Sequence, residues 1–291
     1  MNRKILYFLS FLLISGCTVQ NKIFKPSDKK SPPGTIWLRD NLYFDITEIS
    51  NISYREMIYW YKKKYGLNSE IVSYILPVAS PVNVTKTDTV LNTITYSFPY
   101  LNLPEYHDYP VVGITYNQAL LFCNWRSDRV NELYFVTENK IKVDSANLYL
   151  LDSLYDIPKK VKYRLPTIEE WEYASFGGLD TTIYKFGYKD FIDNNGFTKS
   201  LTFDYVEKKM EIENDTIIDD FPKTESVYYG KPNEFGCYNL VGNVSEIVQE
   251  EGIYKGINWK ENIDEFKISD DFFYSEPSFW LGFRCICELY E

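Results

Sequence analysis

Five cysteines and one histidine carry the strongest nucleophiles and softest donors in this 291-residue sequence. What such groups do depends on their surroundings: a thiol behind an apolar leader is a lipidation target, and paired thiolates hold soft metals. A histidine near neutral pH moves protons. Cys17 has the most informative context. Asn2, Arg3 and Lys4 are polar or basic, Ile5 to Ile14 is an apolar run, and Ser15 and Gly16 stand directly before the cysteine. Leu13-Ile14-Ser15-Gly16-Cys17 therefore reads as a lipobox, in which the sulfur receives a diacylglycerol and the chain is cut on the amino side of Cys17. The apolar run is too short to cross a bilayer comfortably as a helix. Several acyl chains on one residue bury enough methylenes to hold a soluble domain at a membrane. An ordinary secretory signal and an uncleaved anchor are the alternatives. The expected organisation is a signal peptide over 1–16, a Lys-, Ser- and Pro-rich tether over 17–33 and a folded domain over 34–291.

The other thiols are Cys123, Cys237, Cys285 and Cys287. A disulfide among them is permitted but not required, and Cys285 and Cys287 are poor partners for each other. A metal site on Cys-Ile-Cys has little support without a neighbouring histidine, so buried free thiols are the expected state. His107, between Tyr106 and Asp108 and ahead of Pro110, reads as a surface residue. The sequence has no strand-turn-helix nucleophile elbow, no Gly-rich phosphate loop and no internal repeat. Acidic residues outnumber basic ones 41 to 31, which argues against an extended phosphate-binding face and so against nucleic acid. The 26 tyrosines suit a loop-rich fold whose rings pack on one side and hydrogen-bond on the other.

Three helix starts are written as Ser or Thr followed three residues later by Glu or Gln. They are Ser53 with Glu56, Thr115 with Gln118, and Thr167 with Glu170. Tyr54, Met57, Ile58, Tyr61 and Tyr65 share a face of the first helix, which stops at Gly66, and the third stops near Gly177-Gly178. Short apolar stretches at Ile36 to Leu38, Thr93 to Phe98 and Phe279 to Ile286 read as strands. Residues Lys140 to Lys160 and Lys185 to Asp220 read as insertions or irregular loops. Few helices among short strands and long loops predict an α+β fold. Arg164, Glu170, Glu172 and Arg284 are candidates for buried ion pairs, with Trp171 packed beneath them.

The segment from Tyr163 to Ala174, Tyr-Arg-Leu-Pro-Thr-Ile-Glu-Glu-Trp-Glu-Tyr-Ala, closely resembles a signature of the formylglycine-generating-enzyme, or sulfatase-modifying-factor, family. Four further segments follow in the family's order: Thr47 to Asn51, Pro110 to Thr115, Asn233 to Glu246, and Leu281 to Cys285. The resemblance runs from about Pro33 to the end and implies the family's loop-rich variant of the C-type-lectin-like fold. It implies calcium at Asn239, Gly242, Val244 and Glu246, two side-chain oxygens and two backbone carbonyls that suit a hard cation; a plain turn with Glu246 facing solvent or an arginine is the alternative. Asp204, Asp219 and Asp220 are candidates for a second calcium loop.

The family's oxygen-dependent enzymes bind copper(I) with two cysteines shortly before Gly-Phe-Arg, whereas no cysteine lies between Trp259 and Trp280 here. The histidine-rich iron site of the sulfoxide synthases has no counterpart in a chain with only His107. Ser245 and Ile247 also replace the tryptophans common in the stretch around Glu246. The resemblance thus implies no catalytic residues and no copper. It points to a lipid-anchored scaffold for envelope partners, expected at the outer membrane facing the periplasm, since Thr18 is not Asp. The lipobox, this domain and the Thr-Glu-Ile-Ser-Asn stretch are similar to gliding-motility and type IX secretion lipoproteins of Bacteroidota. A peptide- or glycan-binding or enzymatic site lined by Tyr184 to Phe221 is the alternative.

Overall fold

Helix α1 (Asn51–Tyr65) begins three residues before the expected Ser53 box: Ser50 is the cap, accepting from the Ser53 amide at 3.4 Å. The start is set by distant chain. Asn51 donates its backbone N–H to Tyr109 O at 2.8 Å and its side-chain amide to Tyr106 O at 2.9 Å. These bonds satisfy helix-start groups that the local sequence would leave to solvent. Tyr54, Met57, Ile58 and Trp60 are buried, and Gly66 ends the helix at φ 90°. The computed structural model describes residues 31–78, 82–87, 93–98, 100–144, 147–189, 224–261, 263 and 266–290. Cys17, most of the expected tether and Asp204, Asp219 and Asp220 lie outside them.

A short α2 (Glu70–Tyr74) follows, and then α3 (Tyr116–Asn139), which opens with the full Thr115/Gln118 box. Its 24 residues end at Lys140 in the left-handed region. The segment read as irregular after Lys140 contains one turn of helix, α4 (Leu151–Leu154). Helix α5 (Ile168–Phe176) opens with the full Thr167/Glu170 box and stops at Gly177, φ 60°.

Strands β1 (Thr35–Arg39), β2 (Leu42–Asp45), β5 (Val161–Arg164) and β10 (Ile286–Leu289) form an antiparallel sheet in the order β1-β2-β10-β5. A second sheet runs β8-β7-β6-β9, from β6 (Ser245–Ile247), β7 (Ile253–Lys255), β8 (Phe272–Phe273) and β9 (Leu281–Phe283), with β6 and β9 parallel. A separate hairpin pairs β3 (Val82–Thr87) with β4 (Thr93–Phe98). The run expected to be one strand, Phe279 to Ile286, is therefore split between two sheets. The break falls at Arg284 and Cys285, and it lets Arg284 turn inward between the sheets.

The architecture is α+β and loop-rich. Its interior has two main apolar clusters. One gathers Tyr54, Met57, Phe122, Tyr163, Phe283 and Cys285 around α1 and α3. The other gathers Leu38, Phe44, Trp171, Leu240, Val241 and Ile286 around α5.

Candidate functional site

Arg284 and Glu246 meet where the two sheets join. Glu246 is the middle residue of β6, registered against Gly282 of β9. A side chain at Gly282 would bring a Cβ within 2.9 Å of Val111 O and 3.1 Å of Val244 Cγ2, so the close approach of these segments requires glycine. Arg284 follows two residues later. Its Nε donates to Glu246 Oε1 at 2.9 Å and Oε2 at 2.8 Å, and its Nη2 donates to Oε1 at 2.6 Å. Trp171 Nε1 completes the carboxylate, donating to Oε2 at 2.7 Å. The remaining guanidinium protons reach Tyr238 O at 2.8 Å and Asp45 O at 3.3 Å. Arg284, Glu246 and Trp171 are each 0% exposed. Burial pulls the guanidinium toward neutrality, but the adjacent Glu246 overrides it and holds Arg284 above its ordinary value.

A second buried carboxyl lies beside this pair. Glu48 accepts from Asn239 Nδ2 at 3.1 Å and Asn243 Nδ2 at 2.9 Å. Both asparagines occupy the left-handed region, φ 53° and 59°, which their short polar side chains tolerate better than most. Burial pushes Glu48 up to about 8, with Arg284 pulling it down and Glu246 pushing it further up. Burial thus favours the neutral form of Glu48, whose charge would be costly to hold here, and the two amides satisfy its oxygens.

Of the four residues implied for calcium, the side chains of Glu246 and Asn239 are, as placed, engaged with other partners. Both oxygens of Glu246 are taken by Arg284 and Trp171, and a cation on them would stand against a guanidinium. Asn239 turns donors toward Glu48 and Val227 O. Among the described residues, no group of three or more His, Cys, Asp and Glu is arranged to hold a metal ion.

The other ion-pair candidates distribute differently from a single cluster. Arg164 and Glu170 do pair, through Nη1 and Nη2 at 2.7 Å each, while Arg164 Nε reaches Glu288 at 2.6 Å. Glu172 instead meets Lys255, a fully buried lysine that the sequence reading passed over. Its Nζ donates to Glu172 at 2.7 Å, Asp271 at 3.0 Å and Asp270 O at 2.7 Å. An isolated Lys in Ile-Tyr-Lys gives no local signal that it points inward.

All four thiols of the described chain are free and buried. Burial pushes Cys237 and Cys287 up to about 12, so neither is a ready nucleophile at neutral pH. His107 is half-buried, and its backbone carbonyl accepts from the Ile52 amide at 3.0 Å. Of the loop expected to line a ligand site, Phe186 and Tyr188 face the core; residues 190 to 221 lie outside the described chain.

Comparison with known proteins agrees with this layout of motifs. The Sulfatase-modifying factor enzyme 1-like domain model matches residues 9–289. The chain is 31% identical over 147 residues to "Chaperone protein LppX" of Paenibacillus barcinonensis, which covers 47% of this chain and 50% of that protein. It is 26% identical over 175 residues to "Inactive C-alpha-formylglycine-generating enzyme 2" of Bos taurus, covering 57% and 44%. These matches span half or less of each relative's length. Among solved structures, CarF superposes over 86% of this chain and 87% of its own, at 15% identity and a TM-score of 0.46. With its motifs in order and the family model matched over nearly its whole length, the chain belongs to the sulfatase-modifying factor enzyme 1-like, or FGE-sulfatase, family.

Proposed function

We propose that this protein is a non-catalytic, lipid-anchored envelope protein whose sulfatase-modifying-factor-like domain serves as a scaffold for other envelope proteins. The observation that carries this reading is the commitment of its reactive groups. The thiols of the described chain are buried, and the carboxylates and arginines of the family motifs are engaged with one another. A thiol that is buried and protonated is a poor attacking group.

Further support comes from the surface. Tyr59, Tyr65, Leu67, Tyr74, Leu76 and Val78 are 42–72% exposed within one stretch of sequence spanning α1 and α2. A concentration of exposed apolar side chains of this kind suits a protein contact. Relatives in cattle and mouse carry the word inactive in their names, and another is named a chaperone. Among the described residues no helix is long and apolar enough to cross a membrane. The anchor in this reading is lipid on Cys17, in the outer membrane facing the periplasm.

The test is affinity capture of the tagged full-length protein from its native membranes, with mass spectrometry of the Cys17 peptide and a Cys17→Ala control. Stoichiometric recovery of envelope proteins, components of gliding or type IX secretion machinery among them, is the expected result. Recovery of the lipidated protein alone would overturn the scaffold and favour a ligand site in the loops. Conversion of a cysteine-containing sulfatase peptide to the aldehyde by the purified protein would overturn the non-catalytic reading.

A further inference from the structure

We propose that the surface built from the end of α1, from α2 and from the turn of α4 docks another envelope protein, and that the partner's matching face carries carboxylates beside apolar side chains. This docking rests on the scaffold reading and gives that contact its chemistry.

Two segments distant in sequence make one surface. Tyr65 and Leu67 are exposed at the end of α1, and so are Leu150 and Leu154 around α4. Trp60 joins them, its ring 6.3 Å from that of Tyr65 and 6.4 Å from that of Tyr149. Lys64 stands 4.7 Å above the same ring and pairs with Asp152 of α4. Helix α2 is fastened from behind: Tyr54 Oη donates to Ile75 O at 2.9 Å, and Gln118 Nε2 donates to Tyr74 O and Leu76 O at 2.7 Å each. These bonds satisfy carbonyls at the end of α2, so its apolar side chains are exposed on an anchored backbone and not on a frayed end. The start of the domain is held by other side chains, since Pro33 O accepts from Arg126 Nη2 at 2.9 Å and from Tyr163 Oη at 3.2 Å.

Charge selects the partner. The chain has a net charge of -10, yet between Tyr59 and Val78 and between Tyr149 and Tyr155 its carboxylates are Glu70 and Asp152 alone. Asp152 is taken by Lys64. Lys62 and Lys63 meet no carboxylate among the described residues, and the Lys63 ammonium lies 5.3 Å from the centre of the Tyr59 ring. An aromatic face attracts a cation without neutralising it, so the charge remains open to a partner's carboxylate. Exposed apolar side chains with cations beside them match the apolar centre and polar rim of protein interfaces. Rim charges steer encounter and reject like-charged partners. The molecule as a whole attracts basic proteins, whereas this face selects an acidic one.

The experiment places p-benzoylphenylalanine at Leu67 of the full-length lipoprotein, irradiates native envelope membranes and maps the cross-linked residues by mass spectrometry. A second variant carries the same group at Ile183, an exposed residue beyond α5. The expected result is one envelope protein joined from Leu67 and not from Ile183, at an apolar stretch flanked by Asp or Glu. Lys62→Glu with Lys63→Glu should lower its yield about tenfold, and changing the partner's facing carboxylates to lysine should restore it. Should that double variant fail to fold, Lys62→Gln with Lys63→Gln removes the charges alone and should lower the yield less steeply. An unchanged yield, or adducts on a basic stretch, would overturn the acidic partner. Adducts on lipid, on a second copy of this chain or on its own residues 190–223, or no adducts at all, would overturn the docking face. Envelope proteins that still co-purify in stoichiometric amounts would then leave the scaffold standing; their absence would overturn that reading as well.

Discussion

Arg284 and Arg129 are both largely withheld from water, yet the protein treats them differently. Every nitrogen of the Arg284 guanidinium has an acceptor, and the carboxylate it serves has a second partner in Trp171. Arg129 pairs through Nη1 with Glu132 at 2.6 Å and lies over the Trp60 ring at 4.1 Å. Its Nε, Glu132 Oε1 and Trp60 Nε1 have no hydrogen-bond partner. A fully bonded charge network fixes one geometry, whereas a charge resting on an aromatic face tolerates small displacements. The rigid site is the junction of the sheets; the adjustable one lies beside the exposed side chains of α1 and α2, where a partner is proposed to dock.

The sharpest way to break this comparison is to remove each arginine. Arg284→Met strands Glu246 in the interior and should cost about 3–5 kcal/mol by denaturant unfolding. Arg129→Met should cost less, roughly 1–3 kcal/mol, because its pair is incompletely bonded and Glu132, pushed up to about 7 by burial, can take up a proton once the arginine is gone. Equal losses would abolish the distinction. Trp171→Phe deletes one hydrogen bond to a charged acceptor and should cost about 1.5–3 kcal/mol, while the same change at Trp60 deletes an unpartnered N–H and should cost well below that. A larger loss at Trp60 would mean that its indole N–H is bonded in solution.

Proton linkage offers a subtler contrast. Burial pushes Glu132 up to about 7 from 4.5, against the pull of Arg129 and with a push from Asp152 and Asp128. The folded state then holds a proton that the unfolded chain has released, so the stabilisation is complete below pH 4.5 and is lost as pH rises to about 7. Glu132→Gln should flatten that part of the stability profile, and an unchanged slope would assign it to other groups. The smallest effect is expected from metal removal. With Glu246 held by Arg284, chelation should leave the melting temperature unchanged; a marked rise in millimolar calcium would show that the carboxylate leaves the arginine for the ion.

Local chemistry was legible in the sequence where it stayed local. The Thr115/Gln118 and Thr167/Glu170 boxes formed as written because each closes within one turn between a side chain and a nearby amide. Ser50 took the place expected of Ser53 because Tyr106 and Tyr109, more than fifty residues away, fixed the start of the helix. The same limit governs the site. Arg284, Glu246 and Trp171 all stood in motifs that could be quoted, but their convergence needs β6 laid parallel to β9 and a break after Phe283. Lys255 and Glu172 meet across 83 residues without any periodic signal, and Glu48 acquires its altered proton affinity only from the folded surroundings.

The grip on Pro33 has a mechanical consequence under the lipid-anchored reading proposed above. Residues 17–32 drawn taut would reach at most about 55 Å, after which any pull arrives at the domain's first contacts. Those contacts are the carbonyl of Pro32, held by Thr35, and that of Pro33, held by Arg126 and Tyr163 from a helix and a strand. Tension is thereby shared between two elements before it reaches the Thr35–Asp45 end of the β1–β2 ladder, so the edge strand is guarded against unzipping from its free end.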